Sequence, residues 1–416
     1  MCGIVVSRSP ETDHRRVRRR GPDLSRTLEI EGLHLTHHLL SITGEVTPQP
    51  FVDGDVACLF NGEIYNHPFE ASDGEVLIPL YRQHGVDFAA HLEGEFAVAL
   101  YDFAAGHAVF ATDPISTKPM WRRGVEVASY PSALGPGAER VAPNTRIVVD
   151  LASGAEDEIV LRPFDFAHQE IDTYDRWIAA FEHAVEVRAK DHSFLSLSAG
   201  YDSGAIDCIL KRLGTRYKTY SIEGRENLEV LRERGPDVVL TMTEERRAEM
   251  RAYVEEHTEP YTYRVTYGGE WAEEALFDDP AVCGLAWICS LAQAEGRRVC
   301  YSGQGADEIL CDYSEWPWAT ELNCRFPDAL SKWRNFDSDR QRAYLTKEEH
   351  VAGTYGIETR YPFLDFDVIQ EFLWLTPEAK NRRYKAPLHE FLERQSYPFE
   401  AGHKQGFSIL PDAVLS

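Results

Sequence analysis

No uninterrupted apolar run reaches the ~18 residues that a membrane-spanning helix needs. Basic residues are scarce: 43 Lys and Arg stand against 68 Asp and Glu, a formal net charge of −25. Such an acidic surface argues against nucleic acid and against anionic membranes as partners. The eight cysteines contain no C-x-x-C pair and most read as reduced core residues, as expected of a cytoplasmic protein. Met1 to Ser9 is too short, and lacks the basic start, to be a secretory signal. No low-complexity tract interrupts the chain. Its 416 residues, 43% hydrophobic and 11% aromatic, are enough for two globular domains.

The most informative stretch is 193–204. The five residues Ser193-Phe194-Leu195-Ser196-Leu197 run into Ser198-Ala199-Gly200-Tyr201-Asp202-Ser203-Gly204, after which Ala205, Ile206, Ile209 and Leu210 fall at helical spacing. This order predicts strand, tight loop, helix. A parallel α/β sheet binds anions at such a loop, where bare backbone N–H groups and a helix N-terminus converge. Ser198 and Ser203 add hydroxyl donors, and Asp202 offers a hard oxygen to Mg²⁺. Taken alone, S-x-G-x-D-S also fits an ordinary strand-to-helix turn. A second loop of this kind, Tyr301-Ser302-Gly303-Gln304-Gly305-Ala306-Asp307-Glu308, follows a strand expected over 298–301.

At the other end, Met1-Cys2-Gly3-Ile4-Val5-Val6 reads as an initiator methionine ahead of a buried strand. With Met1 removed, Cys2 carries a thiol beside its own α-amine, which titrates near ~8 and can serve as a local base. Asn61-Gly62-Glu63-Ile64-Tyr65-Asn66 is the fourth marked stretch. These four motifs, in this order, resemble the asparagine synthetase family of glutamine-dependent amidotransferases nearly end to end.

The resemblance implies an α/β chain of two domains. The first, 2–160, would be an N-terminal-nucleophile glutaminase built as a four-layer αββα sandwich. The second, 168–416, would be a parallel-sheet synthetase domain of the ATP-pyrophosphatase type with a helical C-terminal part. The acidic, irregular stretch Ser153 to Asp165 is the expected linker. The implied reaction is amide formation through a carboxylate adenylate, using ATP and Mg²⁺, with glutamine or ammonia as nitrogen source and a small-molecule or peptide carboxylate as acceptor. Cys2, Asn61, Gly62, Lys404 and Glu358 would take catalytic roles. Leu39, Leu40, Ile42, Thr43, Asn61, Gly62, Glu63 and Asp73 would line the glutamine site. Leu197, Ser198, Gly200, Asp202, Ser203, Ile222, Ser302, Gly303 and Lys404 would bind ATP. Asp202 and Asp307 would hold Mg²⁺, and Gln304 and Glu358 would border the acceptor. A homodimer is compatible with the resemblance, and the sequence leaves the oligomeric state open.

Several of these residues have plainer readings. Asp73 could cap a helix. Glu358 and Arg360, in Gly356-Ile357-Glu358-Thr359-Arg360-Tyr361-Pro362-Phe363-Leu364-Asp365, could simply brace each other, since buried charges need partners. The run His14 to Arg20 reads as a solvated face. The chain also departs from the family pattern. Leu39 stands where an arginine normally pairs with the glutamine α-carboxylate, a task suited to a bidentate guanidinium. Ser116 replaces glycine in Asp113-Pro114-Ile115-Ser116-Thr117-Lys118-Pro119. Gln304 replaces the glutamate usual in asparagine synthetases and the tyrosine of β-lactam-forming relatives. Two further functions therefore stay open. One is a ligase or cyclase that uses a substrate amine, as in lasso-peptide or β-lactam formation. The other is a non-catalytic regulatory relic.

Overall fold

The computed structural model describes residues 1–224, 227–267, 270–313 and 321–402. Among these residues no helix is long and apolar enough to cross a membrane. The chain divides into two compact units, Met1–Pro163 with Ala352–Glu358, and Phe164–Val351 with the residues from Thr359 onward.

The first unit is built on two six-stranded sheets. One is ordered Glu139–Arg140, Trp121–Arg123, Glu126–Ala128, Gly3–Ser7, Leu33–Leu39, Leu24–Ile30. The other is ordered Glu156–Val160, Thr145–Asp150, His107–Thr112, Gly94–Asp102, Val56–Ile64, Phe51–Asp53. Side-chain alternation assigns each face. Ile4, Val6, Leu35 and Val127 of the first sheet meet Leu59, Ala97, Ala99, Tyr101 and Phe110 of the second in one buried core. On the second sheet's other face, Cys58, Phe60, Val98 and Leu100 pack on Leu77, Ile78 and Tyr81 of the helix Leu77–His84. On the first sheet's outer face, Val5 and Ala128 cluster with Val17 of the short helix Arg15–Arg20. The order is helix, sheet, sheet, helix. Strand Gly94–Asp102 is covered on both faces, which is why residues 96–101 are apolar without alternation.

Two expectations are corrected here. The stretch expected to be an irregular linker contains an edge strand, Glu156–Val160, antiparallel to Thr145–Asp150. Its side chains are all exposed, so no apolar pattern marks it; the ladder holds it, with Arg122 on Glu156 and Arg146 on Asp157. The basic run is not wholly solvated either. It is helical, and Arg20 is fully buried, donating from Nε to the Cys2 carbonyl (3.0 Å) and from Nη1 to Tyr130 Oη (2.9 Å).

In the second unit a five-stranded sheet runs Val238–Thr241, Tyr217–Glu223, Ser193–Ser196, Val299–Tyr301, Glu358–Arg360. The pairings from Val238–Thr241 across to Val299–Tyr301 are parallel. Helices Asp175–Arg188, Tyr201–Leu213, Glu244–His257 and Pro280–Ala294 alternate with these strands. Chain order reverses between Ser193–Ser196 and Val299–Tyr301. Loops leaving adjacent strands at such a switch point diverge and leave a crevice at the carboxyl ends, where open α/β sheets bind ligands.

Gly62 fixes the geometry of one candidate motif. It sits at φ +140°, and a Cβ there would lie 1.8 Å from the Glu95 carbonyl oxygen. Gly62→Ala is expected to cost about 2–4 kcal/mol from backbone strain plus overpacking. Gly32→Ala, at φ +73° with nothing within 4 Å, should bear the conformational cost alone. Urea unfolding of the two variants measures the difference, and equal losses would show that the close approach at Gly62 contributes nothing.

Candidate active sites

In the first unit, strand Gly3–Ser7 begins directly after Cys2, and antiparallel pairing with Leu33–Leu39 sets the end of that strand beside it. Cys2, Leu39, Leu40, Ile42, Thr43, Gly62, Glu63, Asp73 and Glu358 line one cavity. Cys2 Sγ lies 3.9 Å from the Leu40 carbonyl. Asn61 is fully buried, and its Oδ1 accepts the Cys2 N–H at 2.7 Å. Its Nδ2 is buried with no hydrogen-bond partner. A buried donor left unmade is costly, and here it belongs to the side chain that holds Cys2, beside a pocket that could bring it an anionic oxygen.

Burial pushes the Cys2 thiol up to about 11, against the lowering effect of the N-terminal charge. That charge is the Met1 ammonium, 2.8 Å from a Glu358 carboxylate oxygen, with both groups buried. Glu358 therefore belongs to the Cys2 cavity. Asp73 accepts the Ile64 N–H at 2.9 Å, and Ser72 rather than Asp73 holds the cap position of the short turn that follows. Thr43 donates to Glu63 at 2.9 Å.

The lining carries Glu45, Glu63, Asp73 and Glu358 but no Lys, Arg or His. The nearby cations point elsewhere. Arg20 serves the Cys2 carbonyl. Burial lowers His37 to about 3 and its Nε2 meets the Phe60 carbonyl, while burial lowers His38 to about 4 between Ser25 and His14. Both imidazoles are neutral near pH 7.

In the second unit the loop after Ser193–Ser196 is held from within. The Ser198 N–H and hydroxyl lie 3.0 and 2.9 Å from Ser203 Oγ, and the Gly200 N–H donates to Ser198 Oγ at 3.1 Å. The helix Tyr201–Leu213 starts at this point, so its N-terminal dipole faces the loop. Leu197 donates its N–H to the Tyr220 carbonyl, which ties the loop to the strand carrying Ile222. Sequence reasoning missed Arg234, which braces the loop's outer side by donating to the Ser198 and Gly200 carbonyls. It closes a seven-residue helix with no motif around it, so no signal marked it.

The second loop approaches closely: a Cβ on Gly303 would lie 2.8 Å from Asp202 Cβ. Asp202 and Asp307 thereby come together. Between them sits Lys385, whose Nζ is 2.6 and 2.8 Å from the Asp202 oxygens and 2.9 Å from Asp307 Oδ1. Burial opposes its charge, but Asp202 and Asp307 outweigh that and hold its pKa above the ordinary lysine value. Among the described residues no cluster of three or more His, Cys, Asp or Glu could hold a metal alone. Two carboxylates around one cation do match the way Mg²⁺ is held, by one or two carboxylates with substrate phosphates. Lys404 and the rest of His403-Lys404-Gln405-Gly406-Phe407 lie outside the described residues.

Two family models match the chain. The family model described as a glutamine amidotransferase domain matches residues 1–151, and that described as asparagine synthase matches 176–353. Asparagine synthetase [glutamine-hydrolyzing] 1 of Saccharomyces cerevisiae is 35% identical across 100% of this chain and 83% of its own. The chain belongs to the asparagine synthetase family. Asparagine synthetase [glutamine-hydrolyzing] 2 of Arabidopsis thaliana is 28% identical over 91% of this chain and 72% of its own. A putative asparagine synthetase of Methanocaldococcus jannaschii is 26% identical over 84% and 71%.

Within this synthetase fold Lys385 is the group whose removal says most. Lys385→Met leaves two facing carboxylates, each about a quarter exposed. Solvent softens the penalty, which should fall near the low end of the ~3–5 kcal/mol typical of broken buried pairs. Urea unfolding without nucleotide is expected to show that loss. Added MgCl2 should restore more stability to Lys385→Met than it adds to the wild type. An equal Mg²⁺ response in both would mean that the carboxylates do not converge on a cation site.

Proposed function

We propose that the chain catalyses glutamine-dependent, ATP-driven amidation of a carboxylic acid. The carrying observation is the pairing of an Asn61-held Cys2 in one unit with a phosphate-type loop and converging carboxylates in the other. Loss of Met1 would leave the Cys2 nitrogen as a free amine 2.7 Å from Asn61 Oδ1 and release Glu358 from its present partner. The Cys2 thiol would then attack the glutamine amide, with its proton passing to the new α-amine. Asn61 Nδ2 and the Gly62 N–H would receive the oxyanion.

In the synthetase unit Ser198, Gly200, Ser203, Ser302 and Gly303 would receive the ATP phosphates, and Leu197 and Ile222 would border the adenine. Asp202 and Asp307 would hold Mg²⁺, which when bound neutralises phosphate charge during attack at the α-phosphorus. Lys404, with Lys385, would supply positive charge toward the leaving pyrophosphate, and Gln304 would border the acceptor. Glu358 is assigned to the glutaminase cavity, where it faces the chain's amino terminus.

The test is product analysis on the full chain with MgATP, glutamine and a panel of acids that includes aspartate. Wild type should release AMP and pyrophosphate, and intact mass should show Met1 removed. Asp202→Ala should abolish acid-dependent pyrophosphate release while glutamine hydrolysis persists. ADP and phosphate as products, or active protein that retains Met1, would overturn the reading.

Leu39 makes the nitrogen source a separate question. Among the described residues no Lys, Arg or His lines the cavity to meet a glutamine α-carboxylate, and a lost charge-assisted bond costs about 1.5–3 kcal/mol. That corresponds to roughly ten- to hundredfold in affinity. Weak apparent affinity for free glutamine is expected, and Leu39→Arg should lower the glutamine KM by a factor in that range. A wild type that saturates at micromolar glutamine and is weakened by Leu39→Arg would show that the carboxylate is held by another group.

A further inference from the structure

The first unit carries a polar cavity that the proposed reactions do not use. Alternation along Leu33–Leu39 sets His34, Thr36 and His38 on the outer face of the first sheet, the face that also carries Val5. The neighbouring strand Leu24–Ile30 adds Ser25, opposite His38, and Thr27, opposite Thr36. With Ser9, Pro10 and His14, which precede the helix Arg15–Arg20, these residues line a cavity of about 320 Å³.

His14 and His38 meet there, although 24 residues separate them and no local spacing marks the pair. Their rings stand edge-on at 76°, with His14 Nδ1 3.2 Å from His38 Nε2. His38 is 3% exposed, and its other nitrogen, Nδ1, lies 2.7 Å from Ser25 Oγ. With Ser25 as acceptor, the His38 proton sits on Nδ1 and the Nε2 lone pair points at His14. His84 and His91 show the contrast. Their rings are stacked, 25° apart in plane and 3.8 Å between centroids, so their in-plane lone pairs do not converge on one point.

The edge-on pair suits a divalent transition metal. Zn²⁺ takes imidazole nitrogens at ~2.0–2.1 Å in tetrahedral geometry, which sets two ligating nitrogens about 3.3–3.4 Å apart. The observed 3.2 Å needs little adjustment. A metal-bound histidine generally gives its other N–H to an acceptor that fixes the ring, and Ser25 fills that part. Burial lowers the proton affinity of both rings, so each can offer a lone pair near pH 7. The nearby charges oppose each other: Arg18 bears on His38 and Asp13 on His14. Among the described residues no third His, Cys, Asp or Glu completes a ligand set.

We propose that His14 Nδ1 and His38 Nε2 form a site for one divalent ion of the Zn²⁺ type, with water from the cavity in the remaining positions. The ion replaces the hydrogen bond between the rings. The His14 proton moves from Nδ1 to Nε2 through solvent, so no net proton is released. The ion ties the segment before the helix Arg15–Arg20 to the strand Leu33–Leu39. Both lead to the cysteine cavity: Arg20 of that helix donates to the Cys2 carbonyl, and Leu39 and Leu40 line the cavity itself. The ion thereby braces the first unit beside its thiol.

The experiment titrates the full chain, freed of metal by dialysis against chelator, with ZnCl2 at about pH 7.5 in a calorimeter. Wild type is expected to bind one ion with micromolar affinity. His14→Ala, a change at a half-buried residue, should weaken binding at least ~100-fold, and Ser25→Ala about tenfold. His183→Ala, at an exposed histidine of the other unit, should leave it unchanged. With CoCl2 the wild type should show the intense visible bands of a tetrahedral ion, absent from His14→Ala. ZnCl2 at about a hundredfold excess over Kd should raise the wild-type unfolding temperature by about 5 °C or more, and that rise should vanish in His14→Ala. Circular dichroism confirms that each variant is folded before it is scored. Zn²⁺ affinity unchanged in His14→Ala, Co²⁺ bands of thiolate charge-transfer type, or a wild type with no saturable binding at millimolar ZnCl2 would overturn the proposal.

Discussion

The two synthetase loops meet on a single buried ammonium. Asp202 opens one helix and Asp307 another, and the loops carrying them approach so closely that only glycine fits at 303. Two carboxylates at that separation could not both stay ionised in a low-dielectric setting without a cation. Lys385 supplies it from a residue held at φ +44°, a left-handed conformation that costs a non-glycine residue about 1–3 kcal/mol. Surrounding structure sustains the strain: the helix Ala386–Arg394 begins at the next residue, and Tyr384 donates to Asp307 at 3.2 Å. On the proposed function, the arrangement would pre-shape the carboxylates around a positive centre before metal and nucleotide bind, and so remove part of the ordering cost from the binding step.

The cysteine cavity is organised on the opposite principle, around a donor with nothing to donate to. Asn61 gives its oxygen to the Cys2 backbone and leaves its Nδ2 buried and unsatisfied. Gly62 keeps the adjacent backbone in a conformation no other residue adopts cheaply. A structure meant only to be stable would not keep an orphan donor beside a buried thiol. The cost is understandable if the missing acceptor is an oxygen that carries charge only during reaction.

Much of this was legible in the sequence because the motifs coincide with strand ends. Ser198 to Gly204 and Ser302 to Asp307 announce themselves by small residues after short β-prone runs, and Cys2 and Asn61 by their place at the start and within a buried strand. The strand expected over 298–301 is observed at Val299–Tyr301, and the run 193–197 holds the strand Ser193–Ser196. What escaped was long-range. Lys385 and Arg234 are single cations whose partners lie 183 and 34–36 residues away, and no local spacing can disclose such pairs. Glu348 looks like one acid among several on an ordinary helix until its contact with Ser302 is seen. The edge strand Glu156–Val160 carries no apolar face, so hydrophobic periodicity could not register it.

The three departures from the family pattern have different physical fates. Ser116 stands where glycine is usual and adopts φ +55°, but the turn is fastened by Asp113, which accepts from the N–H groups of Ile115 and Thr117 and from the Thr117 hydroxyl. The chain meets that strain with hydrogen bonds already present in the turn. Gln304 brings a neutral side chain to its loop, and Glu348 reaches the same loop from a neighbouring helix. Leu39 has no such counterpart. Among the described residues no Lys, Arg or His lines its cavity, while Glu45, Glu63, Asp73 and Glu358 do. An acidic pocket favours the α-amine of a donor and disfavours its α-carboxylate. On the proposed function, selection among nitrogen donors would rest on the amide and the amine rather than on the carboxylate.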